Sequence, residues 1–526
     1  MSTHCYFEFD IENLDFIKLQ NAINKMIKFH QSLRTIILDS GKQQILENNP
    51  EFLINFNDLT YLNDELKDRT LKQIRDDLSH RIIDLSKFPN FDFKVVKIGD
   101  NLYRLYIGID NTILDGWSMF KFLKEIKLRY DGNFVEKNID VSFRDYVLYK
   151  KENRKVKLEE DRKYWIDRLD SFPVDTNFLR VRTDISNTNQ KFCRIKEKIN
   201  KKDWLEIKEI GKNNNLTPTS ILLTIFSIII SKYSNTDRFV INVTQFVREN
   251  IHPQINDIMG DFTELCLLEV NINKEKSIIE NAKEIQAQLL NDMAHSSYSS
   301  IDFMREIRKI KKVEQVAPIV FTSGLGMGEI STNDFLGNNS YSISQTPQVW
   351  LDHQVLEIDG NLLLVWDYVK GLFDSVQVND CFKNYVNMIK EFSLNEAKRI
   401  KDFTELNRNL NLNNEDKNVA DKKNIELSYI ERDLDEKKEI DKTNEKRIYN
   451  AELEKEVKNL WREVLGLDEI GIEDNFFSLG GTSLNMIQLS NKILERYNYQ
   501  IDFGEFLENS TIYNIVLKIS DYLEKE

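Results

Sequence analysis

The sequence contains few cysteines, histidines and prolines: four, six and seven in 526 residues. The cysteines, Cys5, Cys193, Cys266 and Cys381, are widely separated and have neither metal-type nor redox-type spacing. We therefore expect reduced thiols in a cytoplasmic protein. The histidines are equally scattered, so the sequence predicts no metal site.

No apolar run is long enough to predict a membrane span. The longest, from Ile221 to Ile230, is interrupted by Thr224 and Ser227, whereas spanning a bilayer takes about 20 residues. Thr217 and Pro218 are typical of an N-cap and a first helical position, so this run is predicted to be a buried core helix. The N-terminus lacks the basic and apolar segments of a signal peptide, and none is expected.

An excess of positive charge is also absent. The formal net charge is -14, whereas a nucleic-acid-binding protein concentrates Lys and Arg on one face. We therefore expect neither nucleic acid nor a membrane as a partner. The composition, 41% hydrophobic and 11% aromatic, is sufficient for large cores, and the length predicts about two to four domains.

Strand-like and helix-like segments alternate through residues 1–405, which predicts an α/β architecture. Two halves, 1–175 and 176–405, are predicted to meet near residues 170–190. Residues 406–449 are dense in Lys, Glu, Asp and Asn and poor in aromatic residues. Such a segment cannot bury enough surface to offset its ordering entropy, so it is predicted to be a flexible linker. A small helical domain is predicted over 450–526.

The strongest local motif is Asp474-Asn-Phe-Phe-Ser-Leu-Gly-Gly-Thr-Ser483-Leu484. Gly480 and Gly481 permit a tight loop, and Ser483 then opens an amphipathic helix whose N-terminus favours an anion. Ser483 as a simple helix cap is the structural alternative. The whole motif resembles the attachment site of peptidyl carrier proteins. That resemblance implies a four-helix carrier domain with 4'-phosphopantetheine on Ser483, attached by a phosphopantetheinyl transferase.

A second motif combines Asp110, Asp115 and Ser118 where a predicted strand gives way to a helix. A turn and an N-cap would explain these residues, and Asp115 could pair with a buried arginine. Peptide-forming condensation domains have H-H-x-x-x-D-G here, but Asp110 and Asn111 occupy the histidine positions. The pattern D-x-x-x-x-D-x-x-S is similar to that of heterocyclization domains of nonribosomal peptide synthetases.

The resemblance to heterocyclization domains extends over about residues 4–400. It implies two chloramphenicol-acetyltransferase-like lobes in a V-shaped condensation fold, formed by the halves 1–175 and 176–405. Members of the family begin with a helix before the strand at His4. This sequence begins at that strand, so we expect part of the apolar face of the first lobe to need another cover.

The resemblance also implies a reaction. A carrier-bound Cys, Ser or Thr is acylated by an upstream thioester, and its side chain then closes onto the new amide, with loss of water, to give a thiazoline or oxazoline. Thr322 and Asp352 match the positions used for cyclodehydration, with Asp352 as general acid and base. Ser118 is predicted to be a further site residue. For Asp110 and Asp115 we expect mainly support of the junction between the lobes and of the channel wall, with direct chemistry by Asp110 as the alternative. Further channel-lining residues are predicted to be Asn111, Gln345, Gln348 and Trp350.

The predicted linker is too short to contain an adenylation domain, so a separate adenylation protein is expected to load Ser483. An upstream donor carrier protein and a downstream synthetase domain complete the expected partners. Two alternatives remain open. The front domain could be a docking platform, or form only an amide, while the carrier shuttles an intermediate. A free-standing acyltransferase would instead require a histidine where Asn111 stands.

Overall fold

The computed structural model describes residues 3–48, 51–174, 178–179, 191–328, 330–395, 399–400, 451–467, 469–477, 479, 481, 483–502, 506 and 509–523. The predicted linker 406–449 lies outside the described residues, as does most of the predicted junction between the two halves. The described part of the chain is a mixed α/β structure followed by helices.

The strands of the described residues, numbered in chain order, belong to two large sheets and one small hairpin. They are β1 (His4–Glu12), β2 (Thr35–Ile37), β3 (Gln43–Ile45), β4 (Asn55–Asp58), β5 (Phe91–Lys97), β6 (Leu102–Asp110), β7 (Phe192–Ile199), β8 (Arg238–Phe246), β9 (Thr263–Asn271), β10 (Ile319–Ser323), β11 (Asn338–Gln345), β12 (Leu351–Ile358) and β13 (Asn361–Val369).

The α-helices cover the outer faces of the sheets and form the C-terminal domain. They are α1 (Phe16–Phe29), α2 (Asp64–Leu78), α3 (Gly116–Asp131), α4 (Phe143–Arg168), α5 (Lys201–Asn213), α6 (Pro218–Ser234), α7 (Ile278–Ala294), α8 (Ser300–Lys311), α9 (Ser375–Leu394), α10 (Ala451–Leu465), α11 (Ser483–Tyr497) and α12 (Ile512–Leu523). Short 3-10 turns occupy Gln31–Arg34 and Thr332–Asp334.

Each half of the α/β region is built on one sheet. The first sheet has the order β11-β1-β6-β5-β4, and the second has the order β7-β13-β12-β10-β8-β9. Strand β11 follows β10 in the chain but pairs antiparallel with β1, with Gln345 opposite His4. A strand from the second half therefore completes the sheet of the first, a crossing that the sequence did not predict.

Helix α4 runs for 26 residues, from Phe143 to Arg168. It begins at Phe143 behind a capping box in which Ser142 and Asp145 satisfy each other's backbone N–H groups. Its first turns are largely exposed, including Val147 and Leu148. Because these turns lack a continuous apolar stripe, their sequence shows no helical periodicity from which the helix could be predicted.

Helix α6 is the predicted core helix. Its N-cap is Thr217, whose side chain accepts from the backbone N–H of Ser220, and Pro218 occupies the first turn. All residues from Ser220 to Ser231 are buried. Among the described residues, no single helix is long and apolar enough to cross a membrane; α5 and α6 meet the criterion only when joined, across a bend of 103°.

The C-terminal helices α10, α11 and α12 enclose a separate core around Val457, Trp461 and Phe476. This domain rests against the second half of the α/β region. Leu290 of α7 is buried within the C-terminal core, and Nδ2 of Asn475 donates to Oδ1 of Asn215 at 3.0 Å. The loop that bears the carrier-like motif therefore touches the α5–α6 connection.

Candidate active site

A cavity of about 590 Å³ lies where the two sheets face each other. Both halves of the α/β region line it: Cys5 and Asn111 come from the first, and Arg194, Thr322 and Asp352 come from the second. Its wall contains no histidine among the described residues. Carboxyl groups are thus the main acids and bases available for chemistry.

Thr322 lies on β10 and Asp352 on the neighbouring parallel strand β12, where Gln354 is the residue in register with Thr322. Oγ1 of Thr322 donates to Oδ1 of Asp352 at 2.8 Å, and Nε2 of Gln354 donates to Oδ2 of Asp352 at 2.7 Å. These two partners are neutral groups, whereas a structural salt bridge would have placed a cation there. The two residues predicted for cyclodehydration therefore form a hydrogen-bonded pair on the cavity wall.

The Asp352 carboxyl is poised for proton transfer near neutral pH. Its pKa is raised to about 6, chiefly by burial; the hydrogen bonds from Gln354 and Thr322 lower it and the charge of Asp367 raises it. A group with such a pKa can both take up and release a proton at cellular pH. A second cavity-lining carboxyl, Asp261, also has its pKa raised to about 6, again chiefly by burial.

An ion pair behind Asp352 was not predicted from the sequence. In cross-strand register, Asp352 lies opposite Asp367 of β13, and Asp367 lies opposite Arg194 of β7. Nε and Nη2 of Arg194 donate to Oδ1 and Oδ2 of Asp367 at 2.7 and 2.5 Å. The sequence did contain one indication of this ion pair, an aspartate inside the apolar run Leu362–Val369. A carboxylate buried in such a strand requires a charged or hydrogen-bonding partner.

Asp115 and Ser118 join the two halves of the protein. Asp115 caps α3 by accepting from the Ser118 N–H at 2.6 Å, and its Oδ2 accepts from the Phe262 N–H at 3.2 Å. Nη2 of Arg248 donates to Oγ of Ser118 at 2.8 Å and lies 3.4 Å from Oδ1 of Asp115. Asp115 and Arg248 are almost fully buried. This arrangement supports a structural role that ties the β6–α3 junction to the second half.

Asp110 stabilises the turn that follows β6. Its Oδ1 accepts from the N–H of Thr112 at 3.0 Å and from Oγ1 of Thr112 at 2.8 Å. Asp110 is fully buried and is not among the residues that line the cavity. The geometry therefore favours the supporting role over direct chemistry.

The four residues predicted to line the channel separate into two groups. Asn111 and Gln348 line the cavity, and Gln348 accepts from Nη2 of Arg308 at 2.8 Å. Gln345 and Trp350 do not line it, which corrects the prediction. Gln345 is buried on β11, and Trp350 packs into the largest hydrophobic cluster of the described residues.

In the motif around Ser483, the described residues that precede α11 pack against the C-terminal core. Phe476 and Phe477 are buried, and the N–H of Gly481 donates to the carbonyl of Phe476 at 3.0 Å. A Cβ on Gly481 would lie 2.4 Å from the Phe476 ring, so glycine is required there. Ser483 is the first residue of α11, and a phosphate on it would meet the free N–H groups of a helix N-terminus.

Comparisons with known proteins agree with this geometry. Residues 3–410 match the Condensation domain family, and residues 455–519 match the Phosphopantetheine attachment site family. Bacitracin synthase 1 of Bacillus licheniformis is 31% identical to this chain, and pyochelin synthetase PchF of Pseudomonas aeruginosa is 30% identical to it. Each match covers 74% of this chain. Phenyloxazoline synthase MbtB of Mycobacterium tuberculosis is 27% identical over 73%. The matched regions span only 8%, 22% and 27% of those three relatives.

Solved structures show the same relationship. The cyclization-docking bidomain of the nonribosomal peptide synthetase EpoB from Sorangium cellulosum is 30% identical, with a TM-score of 0.70 over 74% of this chain and 80% of that one. The first condensation domain of the CDA synthetase has a TM-score of 0.61 at 14% identity, over 76% and 93% of the two chains, and shows the fold alone.

The chain belongs to the condensation-domain family of nonribosomal peptide synthetases and continues into a phosphopantetheine carrier domain. The predicted fold class is confirmed. Ser483 is the serine of this carrier domain that receives 4'-phosphopantetheine. The attached group supplies a thiol that holds acyl groups as thioesters.

Proposed function

We propose that this protein is a heterocyclization enzyme. It joins an upstream acyl or peptidyl group to a carrier-bound Cys, Ser or Thr and converts the resulting amide to a thiazoline or oxazoline. The observation that supports this most strongly is the Thr322–Asp352 pair on the wall of a cavity whose described lining has no histidine. Resemblance to a cyclization bidomain at 30% identity adds support.

Amide formation places the smaller demand on the protein. A free amine attacks a thioester readily once the two are held in contact, so positioning in the cavity supplies most of the acceleration. Ring closure is harder because the amide carbonyl is stabilised by resonance. It therefore requires a group that moves protons, which Asp352 provides.

The proton transfers of ring closure can be assigned to Asp352. Its carboxylate takes the thiol or hydroxyl proton as the sulfur or oxygen bonds to the amide carbon, and it passes this proton to the former carbonyl oxygen. A second transfer, from the ring N–H to that hydroxyl, releases one water and leaves a C=N bond. Thr322 holds Asp352 in position through its hydrogen bond.

The proposal includes the partners that such an enzyme needs. The condensation match ends at residue 410 and the carrier match begins at 455, an interval that cannot hold an adenylation domain of several hundred residues. We therefore infer that a separate adenylation protein loads Ser483. An upstream carrier delivers the acyl group, and a downstream synthetase domain receives the heterocycle.

Mass spectrometry of the loaded carrier tests the proposed function. The chain is loaded with Cys, Ser or Thr and given an acylated donor carrier. Heterocycle formation removes one water beyond the amide product. Asp352→Asn should accumulate the uncyclised amide, whereas Asp64→Asn, at a fully exposed position of α2, should behave as the native chain. If the native chain forms only the amide with every amino acid, the domain is amide-forming; if it forms no product, it is a docking platform.

A further inference from the structure

We propose that Gln354, Asp367 and Arg194 form a positioning unit that sets the orientation and protonation of Asp352 and ties it to the crossing strand β11. This inference rests on the proposed function. Their side chains bond to one another, to Asp352 and to two serines of β11, Ser342 and Ser344.

Gln354 is the link between the two carboxyl groups. Its Nε2 lies 2.7 Å from Oδ2 of Asp352 and 3.1 Å from Oδ2 of Asp367. An amide nitrogen carries two hydrogens, so one side chain can donate to both carboxylates. The same nitrogen is 2.7 Å from Oγ of Ser344. Rotation of Gln354 would present its carbonyl oxygen to two carboxyl groups. This repulsion keeps Gln354 in the orientation in which it donates to Asp352.

Donors from three strands meet at one oxygen of Asp367. Oδ2 accepts from Nη2 of Arg194 at 2.5 Å, from the N–H and Oγ of Ser344 at 3.0 and 2.8 Å, and from Nε2 of Gln354 at 3.1 Å. Charge-assisted bonds of this kind are stronger than neutral ones. Asp367 is fully buried, so it cannot turn to solvent when a neighbour moves.

The unit connects Asp352 to the first sheet. Arg194 donates from Nη1 to Oγ of Ser342 at 2.5 Å, and both Ser342 and Ser344 belong to β11, which pairs with β1. A displacement of β11 therefore disturbs Asp367 and, through Gln354, the carboxyl that moves the proton. Besides the ion pair, the first-sheet side presents Cys5, whose pKa burial raises to about 11, and Tyr341 of β11, whose pKa burial also raises. Both therefore stay protonated across the working range.

Two variants that each neutralise one member of the ion pair distinguish this proposal from a purely structural role of the pair. The charge of Asp367 raises the pKa of Asp352 and that of Arg194 lowers it. Asp367→Asn should move the pH midpoint of ring closure down, and Arg194→Gln should move it up, each by about one pH unit. A structural ion pair would lower the rate in both variants with an unchanged midpoint, and that result overturns the proposal.

The experiment measures the ratio of heterocycle to amide against pH for the full chain, with Arg305→Gln as a control at an exposed arginine of α8. A third variant, Gln354→Met, keeps the test valid if the charge variants do not fold. It removes only the hydrogen bonds that join Asp352 to Asp367. It should shift the midpoint up and slow ring closure at least tenfold while amide formation persists. An unshifted midpoint in Gln354→Met refutes the positioning role.

A readout without chemistry keeps the inference testable if the native chain forms only an amide. Urea unfolding of native chain and Asp352→Asn, compared across pH, reports the pH at which Asp352 ionises in the folded state. When the same two unfolding measurements are made on chains that also carry Asp367→Asn, the pH at which Asp352 ionises should be lower. Failure of the native chain to cyclise would reject the proposed function, whereas an unmoved ionisation would reject the positioning unit.

Discussion

Replacing Asp352 with Asn should stabilise the protein at neutral pH while it removes ring closure. Burial raises the pKa of Asp352 from 3.8 to about 6, so the folded state favours the protonated carboxyl more than the unfolded state does. At neutral pH the carboxyl is ionised in both states, and the fold carries the full cost of that charge. Below the unfolded pKa the cost is absent.

The magnitude follows from the size of the pKa shift. Each pKa unit corresponds to about 1.4 kcal/mol, so a shift of about two units gives roughly 3 kcal/mol as an upper bound. Asp352 lines an open cavity, and solvent there reduces the cost. The loss of a favourable contact with Gln354 reduces it further. We expect a net stabilisation of about 1–2 kcal/mol at pH values above the folded pKa.

Urea unfolding at about pH 7.5 and about pH 5 measures this effect as a difference between variant and native chain, so that other titrating groups cancel. The stabilisation should be complete at the higher pH and reduced to about half at the lower one, because it disappears fully only below the unfolded pKa of 3.8. Asp64→Asn should show no such pH dependence, since Asp64 is almost fully exposed. Equal stability of variant and native chain at both pH values would refute the reasoning, as would destabilisation confined to the higher pH.

Three further predictions follow from other features of the structure. Ring closure by the native chain should decline relative to amide formation as the pH falls through about 6, because Asp352 must be ionised to take the first proton; a constant product ratio in mass spectra would contradict this. Arg248→Met should destabilise the fold by about 3–5 kcal/mol because it leaves buried Asp115 without its cation, an effect measurable by urea unfolding against exposed Arg305→Met. Gly481→Ala should destabilise the carrier by about 1–3 kcal/mol, since its Cβ would meet the Phe476 ring at 2.4 Å; an unchanged carrier melting temperature would show that the loop can adjust.

The parts of the structure that are formed by residues contiguous in the chain could be predicted from the local sequence. The carrier motif could be read because Phe476, Gly481 and Ser483 lie within a few residues and have their roles fixed by one loop and one helix. Asp115 and Ser118 were likewise identified because an N-cap and its helix are neighbours in sequence. Thr322 and Asp352 came from family resemblance alone.

The positioning unit could not be predicted in this way. Arg194, Gln354 and Asp367 meet because β12, β13 and β7 are adjacent in the second sheet, and strand order is not encoded in any local pattern. The absence of Gln345 from the cavity lining could not be predicted either, because it depends on the pairing of β11 with β1, a strand near the N-terminus.

The crossing of β11 has a consequence for any attempt to exchange lobes between related enzymes. The first sheet contains β11, a strand from the second half of the sequence, so the two lobes in space do not correspond to two continuous segments of the chain. A fragment that ends before residue 338 would leave the nine-residue strand β1 as an exposed edge, and an unpaired edge of that length is a template for aggregation. A functional chimaera therefore has to transplant residues 338–345 together with the first lobe, even though they lie far along the chain in the second.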